Sequence, residues 1–274
     1  MGIILGIDVG GSTTKIVGLK SDGSLISTMM VRAYDQITSL YGALGHYIDS
    51  NRLSLGDVER IFITGVGSSY LVGDIYGIPT QRIDEFSAIA RGGLHLANVA
   101  EAIVVSMGTG TAFVRADGNG YSHIGGSGVG GGLLLGLGKK LCGASDFTSL
   151  CSIAAHGSLS NVDLTVGDIS KSDIERLSSD ITAANLANIK DGATEADLAL
   201  GLINMVLQTI LTLASFASRD SGTDTVILTG SLTELEWLVP TVEAFRMISP
   251  ARFIIPQDAA FATAVGAALH AFEC

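Results

Sequence analysis

The sequence predicts an α/β protein made of two duplicated lobes, each a mixed sheet flanked by helices, with a cleft between them. Three observations carry this prediction. The chain opens with the apolar, β-branched run Ile3–Ile7, which ends at Asp8 and turns through Val9-Gly10-Gly11-Ser12-Thr13 into a second strand, Lys15–Leu19. Such a run reads as a strand buried on both faces. The pattern then returns: ILGIDVGGSTTKIVGLKSDG at 4–23 is matched by IVVSMGTGTAFVRADG at 103–118. Each is a buried strand, a glycine and hydroxyl turn, a second strand and an Asp-Gly turn, which marks an internal duplication. Helical periodicity follows at Ile37–Ile48 and Ser87–Val99, as helices against a sheet require. The division falls near residue 101, giving lobes 1–100 and 101–274.

Composition bounds the partners. Hydrophobic residues are 47% of the 274 and charged ones only 16%, which argues against long disordered tails. A net charge of −11 repels phosphate backbones, so neither nucleic acid nor an anionic membrane is expected as a partner. No apolar run is expected to span a membrane, and Met1-Gly2 leads into a strand rather than a signal peptide. Cys142, Cys151 and Cys274 have no Cys-x-x-Cys spacing, so free thiols in a cytoplasmic setting are expected.

The first turn has the chemistry of an anion site. Without Cβ atoms at Gly10 and Gly11, backbone N–H groups can converge on a phosphate. Ser12 and Thr13 add hydroxyls, Lys15 adds a point charge, and Asp8 is suited to hold a hydrated Mg²⁺. A second copy of the turn, Gly108–Thr111, would face the same cleft from the other lobe. The pair points to a nucleotide more firmly than one glycine hairpin would.

The remaining elements follow in order. Leu25–Val31 reads as a third strand and Arg60–Thr64 as a fourth. Gly65–Ser69 is a glycine turn opening a short helix to Ile75, and Arg82–Phe86 is a strand-to-helix junction. In the second lobe, Tyr121–Ile124 completes the hairpin series. The glycine run Gly125–Gly132 then precedes a helix at Leu133–Leu141, which would bring helix N-terminal N–H groups to a ligand. Asp146–Lys190 reads as mostly helical and polar, with a loop at His156–Leu164. Thr194–Arg219 is the longest periodic helix, apolar on more than one face, as deep burial or a subunit interface requires. Thr225–Thr229 runs into Gly230-Ser231, a third junction facing the cleft. Arg252–Ile255 is the last strand and Ala259–Phe272 a closing helix.

The junctions at Asp8–Lys15, Gly108–Thr111 and Gly230–Ser231 on duplicated lobes resemble the actin, sugar-kinase and chaperone-ATPase superfamily. That resemblance implies ribonuclease-H-like lobes in an actin-like ATPase fold. Within the superfamily the chain is similar to the type II pantothenate kinases. The strings are DVGGSTTKIV at 8–17, DEFSA at 84–88, MGTGTAFV at 107–114, GGSGVGGGLLLGLG at 125–138, AAHGSLSNVDL at 154–164, ITAAN at 181–185 and AFATAVGAA at 260–268.

What the resemblance implies is transfer of the terminal phosphoryl group of ATP to pantothenate, the first step toward coenzyme A. Phosphoryl transfer needs positioning, charge neutralisation and a base for the attacking hydroxyl. Glu85 matches the family's catalytic acid, and neighbouring Asp84 would raise its pKa. ATP would be held by Asp8, Val9, Gly10, Gly11, Ser12, Thr13, Thr14, Lys15, Gly108, Thr109, Gly110, Gly130, Gly131, Gly132, Leu133, Leu134, Phe147, Gly230 and Ser231, with Mg²⁺ at Asp8 through water. Glu85, Thr109, Thr111 and His123 would face the acceptor. The long helix matches the family's dimerisation segment, so a homodimer is expected.

One departure stands out. The family has arginine just ahead of the glycine run, gripping the pantothenate carboxylate, where this chain has Ser122-His123. A neutral imidazole does not replace a bidentate guanidinium. Protonation of His123, an arginine reaching in from Arg91 or Arg115, or a different acceptor are the alternatives. N-acetylhexosamine kinases share the superfamily. Activators of 2-hydroxyacyl-CoA dehydratases share the opening GIDVGGSTTK but hold an iron–sulfur cluster on cysteines, where DEFSAIARGG here has none. A kinase-like sensor without turnover is the non-enzymatic alternative.

Overall fold

The computed structural model describes every residue except Met1, Tyr34, 171–178, Asp180, Glu273 and Cys274. The expected thiol at Cys274 and part of the expected 146–190 helical region therefore lie outside the described residues.

The first lobe runs β1 (Ile3–Val9), β2 (Thr13–Leu19), β3 (Leu25–Arg32), α1 (Gln36–Ser50), β4 (Val58–Thr64), β5 (Thr80–Arg82) and α2 (Glu85–Ala97). The second runs β6 (Ala102–Met107), β7 (Thr111–Asp117), β8 (Gly120–Ser127), α3 (Gly131–Cys142), α4 (Phe147–Ala154), β9 (Leu164–Thr165), α5 (Val166–Ile169), β10 (Thr182–Ala184), α6 (Glu195–Ser221), β11 (Thr225–Thr229), α7 (Leu238–Phe245), β12 (Arg252–Ile254) and α8 (Ala262–Leu269). The sheet orders are β3-β2-β1-β4-β5 and β8-β7-β6-β11-β12, the same topology twice. In each, an antiparallel three-strand meander is extended by two parallel strands. The duplication seen in the two hairpin strings therefore extends to whole sheets.

Side-chain alternation along each strand distributes the core. On the first sheet Leu5, Ile7, Ile16, Ile61 and Ile63 face Leu40, Leu44 and Tyr47 of α1. Ile4, Val17 and Phe62 face the opposite way, onto Ala264 and Ala268 of α8. On the second sheet Val105 and Met107 pack against α6, and Val104 and Val114 against Ile89 and Ala90 of α2. A cut at residue 100 falls just after α2, yet α2 lies on the second sheet and α8 on the first. The two helices cross where a Cβ on Gly92 would run into the carbonyl oxygen of Ala262, and one on Gly266 into that of Ala88. Only glycine allows that approach.

Helix starts follow capping chemistry. Asp35 and Asp84 accept from the backbone N–H groups of Thr38 (2.7 Å) and Ser87 (2.9 Å). Thr194 and Asp197 form a capping box for α6, and hydrogen bonds from Thr194 and Ser158 hold the Asp197 carboxyl down at about 2.

Four expectations need correction. Gly125–Ser127 closes β8 by pairing with Thr111–Phe113, so only 128–130 links strand to helix. The 146–190 region is less helical than its polar composition suggests, because β9 and β10 pair as a short ribbon. After Gly65 the chain makes only a 3₁₀ turn at Val66–Tyr70, and no helix reaches Ile75. Finally, α6 is long and apolar enough, by length and composition, to cross a membrane. Its apolar character is accounted for by packing: Leu202, Val206, Ile210 and Leu211 are buried in the second lobe's core.

Candidate active site

Both glycine turns sit at the ends of their lobes' central strands and meet across the cleft. Ser12 Oγ lies 2.9 Å from Thr109 Oγ1, a direct hydrogen bond between the first turn and the second. Arg32, at the end of β3 and paired in register with Thr13, reaches Asp146 at the head of α4, 3.0 Å away. The cleft has a volume of about 970 Å³. Its walls include Asp8, Gly10–Thr13, Lys15 and Glu85 from the first lobe. From the second come Gly108–Thr111, Gly131, Phe147, Gly230 and Ser231.

Charge in the cleft is concentrated on the first lobe. Asp8 and Lys15 are direct register partners on β1 and β2, and Lys15 is buried. Burial raises the Asp8 pKa and lowers that of Lys15, while each charge counters the shift of the other. Lys15 is thus a partner for Asp8 (with Glu234 a second, weaker influence) rather than a freely extended cation. Glu85 is the first residue of α2, half-buried, with its pKa pushed up to about 7. Burial is the largest cause, Asp8 the next, and Asp84 the least, so the expected neighbour effect operates but does not dominate. A carboxyl poised there can accept a proton at neutral pH.

The expected residues divide. Gly130–Gly132 pack against the second turn. The Gly131 N–H donates to Gly108 O and the Gly132 N–H to Thr109 O, both at 2.8 Å. A Cβ at Gly130 would stand 2.8 Å from Gly110 Cα. The start of α3 therefore braces the turn, and Gly131 alone of the three lines the cleft. Leu134 is core, packed on the α6 side of the second sheet, and Leu133 packs beside it. Val9 and Thr14 point to the α1 side of the first sheet, away from the cleft. His123 is exposed on β8 and stacks on Phe86, ring centroids 4.1 Å apart, with Nε2 near Gly126 at the cleft rim. Arg115 is engaged by Glu101 at 3.0 Å, and neither it nor Arg91 lines the cleft.

Other cleft residues were missed in sequence: Arg32, Glu234, Glu236, Cys151 and Thr263. For Arg32 a signal existed, since counting hairpin register back from Asp22-Gly23 sets it beside Thr13. Glu234 follows the Gly230-Ser231 junction by three residues, whereas for Thr263 there was no signal, because its position depends on how α8 docks onto the first sheet.

Two lobes with repeated topology, glycine turns meeting across one cleft and the half-buried Glu85 carboxyl on its wall are the features of a phosphotransferase of the actin-like ATPase fold. Solved structures agree on that fold. The activator of the 2-hydroxyisocaproyl-CoA dehydratase from Clostridium difficile with bound ADPNP superposes with TM-score 0.70 at 19% identity, covering 98% of this chain and 94% of that one. A ROK family glucokinase from Streptomyces griseus, in complex with glucose and AMPPNP, gives 0.58 at 15%, covering 97% and 98%. In sequence, the type II pantothenate kinase of Staphylococcus aureus (strain USA300) is 28% identical, covering 96% of this chain and 97% of the relative. The Fumble family model matches residues 97–240, just over half of the chain. The chain belongs to the Fumble family, that of the type II pantothenate kinases.

Proposed function

We propose that this protein transfers the terminal phosphoryl group of ATP to the primary hydroxyl of pantothenate, with Glu85 as general base. The observation that carries the reading is the Glu85 carboxyl, raised to about 7 beside Asp8 where the two glycine turns converge. Backbone amides at Gly11–Ser12 and Thr109–Gly110 would hold the phosphates, since the Gly10 and Gly108 N–H groups already donate within their own turns, and Phe147 would flank the base. Glu85 would take the hydroxyl proton as the oxygen attacks phosphorus, and return it to solvent. Asp8 offers a hard oxygen donor in a half-buried pocket, which fits a hydrated Mg²⁺. When bound, that ion would neutralise charge on the phosphates.

A second reading, another small hydroxyl acceptor, is favoured by one observation. His123 stands where the family's carboxylate-gripping arginine would, and its ring is taken up by Phe86. An ATP-consumption assay with pantothenate, pantetheine and hexosamines decides between them. Turnover on pantothenate alone supports the first reading; turnover only on another acceptor replaces it. His123→Arg should lower the pantothenate KM, and an unchanged value would remove position 123 from carboxylate recognition.

A homodimer in a cytoplasmic setting belongs to the same proposal. An apolar groove of about 580 Å³ between α6 and α7 is lined by Leu200, Ile203, Trp237, Pro240, Phe245 and Ile248, and Phe216 on α6 and Val239 on α7 are exposed. A second copy of this chain is the proposed cover, to be tested by light scattering.

A further inference from the structure

Thr64, the last residue of β4, is fully buried, and its Oγ1 meets no hydrogen-bond partner among the described residues. A buried hydroxyl left unsatisfied destabilises the fold. Valine fills the same space without that penalty. A polar group kept in such a place calls for a physical account.

Strand alternation gives the direction of the side chain. Phe62, two residues earlier, packs on α8, so Thr64 shares that face of the sheet. On β1 the same face carries Ile4 and Asp8, and on β2 it carries Val17 and Lys15. Register pairs Asp8 with Lys15 on one side and with Thr64 on the other. Lys15, Asp8 and Thr64 therefore form a row across three adjacent strands, at the edge where Asp8 and Lys15 line the cleft. Lys15 answers the Asp8 carboxylate from one side. The Thr64 hydroxyl stands on the other with its hydrogen-bonding capacity unspent. Thr14 is also buried and unpartnered, but it faces α1 with Ile16, so it has no place in this row.

We propose that Thr64 is a positioning residue for the divalent cation at Asp8, its Oγ1 hydrogen-bonded to a water in the hydration shell of that cation. The inference rests on the phosphotransferase reading of the cleft. Groups that hold a metal's outer shell set its affinity without touching it. Chemically, a hydroxyl suits the role because it both donates and accepts, and so can follow the orientation that the carboxylate imposes on the shared water.

Thr64→Val and Thr64→Ser test this. The probe is Mn²⁺, titrated by electron paramagnetic resonance into the protein with a non-hydrolysable ATP analogue, alongside thermal melting and the Mg²⁺ dependence of ATP turnover. Thr64→Val should melt at or above the wild-type temperature while its Mn²⁺ dissociation constant rises about tenfold. Its half-saturating Mg²⁺ should rise in step, and Thr64→Ser should restore both. Wild-type Mn²⁺ affinity in Thr64→Val overturns the inference, as does a loss of affinity that Thr64→Ser fails to restore. If the wild-type protein itself shows no divalent-dependent ATP turnover on any acceptor, the phosphotransferase reading falls first and takes this inference with it.

Discussion

The two glycine hairpins are built alike and charged differently. In the first, Asp8 pairs with Lys15 across β1 and β2; at the matching place in the second, Ser106 pairs with Ala112 across β6 and β7. One step nearer the turn, Thr14 has no hydrogen-bond partner among the described residues, while Thr111 donates to Val129 O at 2.8 Å. The second hairpin is also braced from behind by α3. Duplication thus preserved the backbone geometry of the glycine turns, down to the bond from the first turn glycine N–H (Gly10 to Thr13 O, Gly108 to Gly110 O). Ionic groups were kept on one copy only, and structural support was added to the other. The lesson is that the first hairpin supplies charge and the second supplies shape.

The sharpest break of that comparison is Glu85→Gln. Losing the base should lower kcat by about 10²–10⁴-fold with nucleotide affinity little changed. In the wild type, kcat/KM should rise with pH through about 7 and level off above it, and that limb should vanish in the variant. Full activity in Glu85→Gln would end its role as base. Stability follows the same group with the opposite trend. A carboxyl whose folded pKa is raised stabilises the fold below its ordinary value, and that contribution is lost as pH rises through about 7. Glu85→Gln should therefore flatten the melting-temperature profile between pH 5 and 8.

Asp8→Asn against Ser106→Ala tests the asymmetry itself. The first should cost about 10²–10³-fold in kcat/KM, as loss of a charged transition-state contact does, and the second only a few-fold. Equal losses would mean the two hairpins share the electrostatic work.

Gly92→Ala probes the crossing that sets the lobes against each other. A methyl group there meets backbone rather than a side chain that can swing away. The expected loss is about 1–3 kcal/mol, read as a fall of several degrees in melting temperature. A wild-type melt would show that α2 and α8 can part without penalty.

The smallest expected effect lies where the turns touch. A double-mutant cycle on Ser12→Ala and Thr109→Val should give a coupling of about 0.5–1.5 kcal/mol in denaturant unfolding. No coupling would mean that the bond seen at 2.9 Å contributes nothing to closure.

Much of this was legible in the chain. The β-branched runs, the Asp-Gly turns and the repeated hairpin string gave both meanders, and apolar spacing gave α1, α2 and α6. Asp8 and the two turns were legible as cleft candidates because glycine spacing and strand ends are local features, and Glu85 only through the resemblance to the family. The Gly125–Gly132 run was only partly legible, since a glycine facing a cleft and one kept for a neighbouring backbone look the same in sequence. Only the packing of α3 against Gly108–Gly110 separates them.

The amino-acid order by itself determined the two-fold repeat, the long helices and meander strands and the chemistry available at each turn, because periodicity, β-branching and turn residues act within a few positions. Tertiary structure alone decided that Lys15 answers Asp8, that burial more than Asp84 tunes Glu85, and that Arg32 spans to Asp146. Those outcomes depend on register, desolvation and the docking of one lobe on the other, which link residues far apart in the chain.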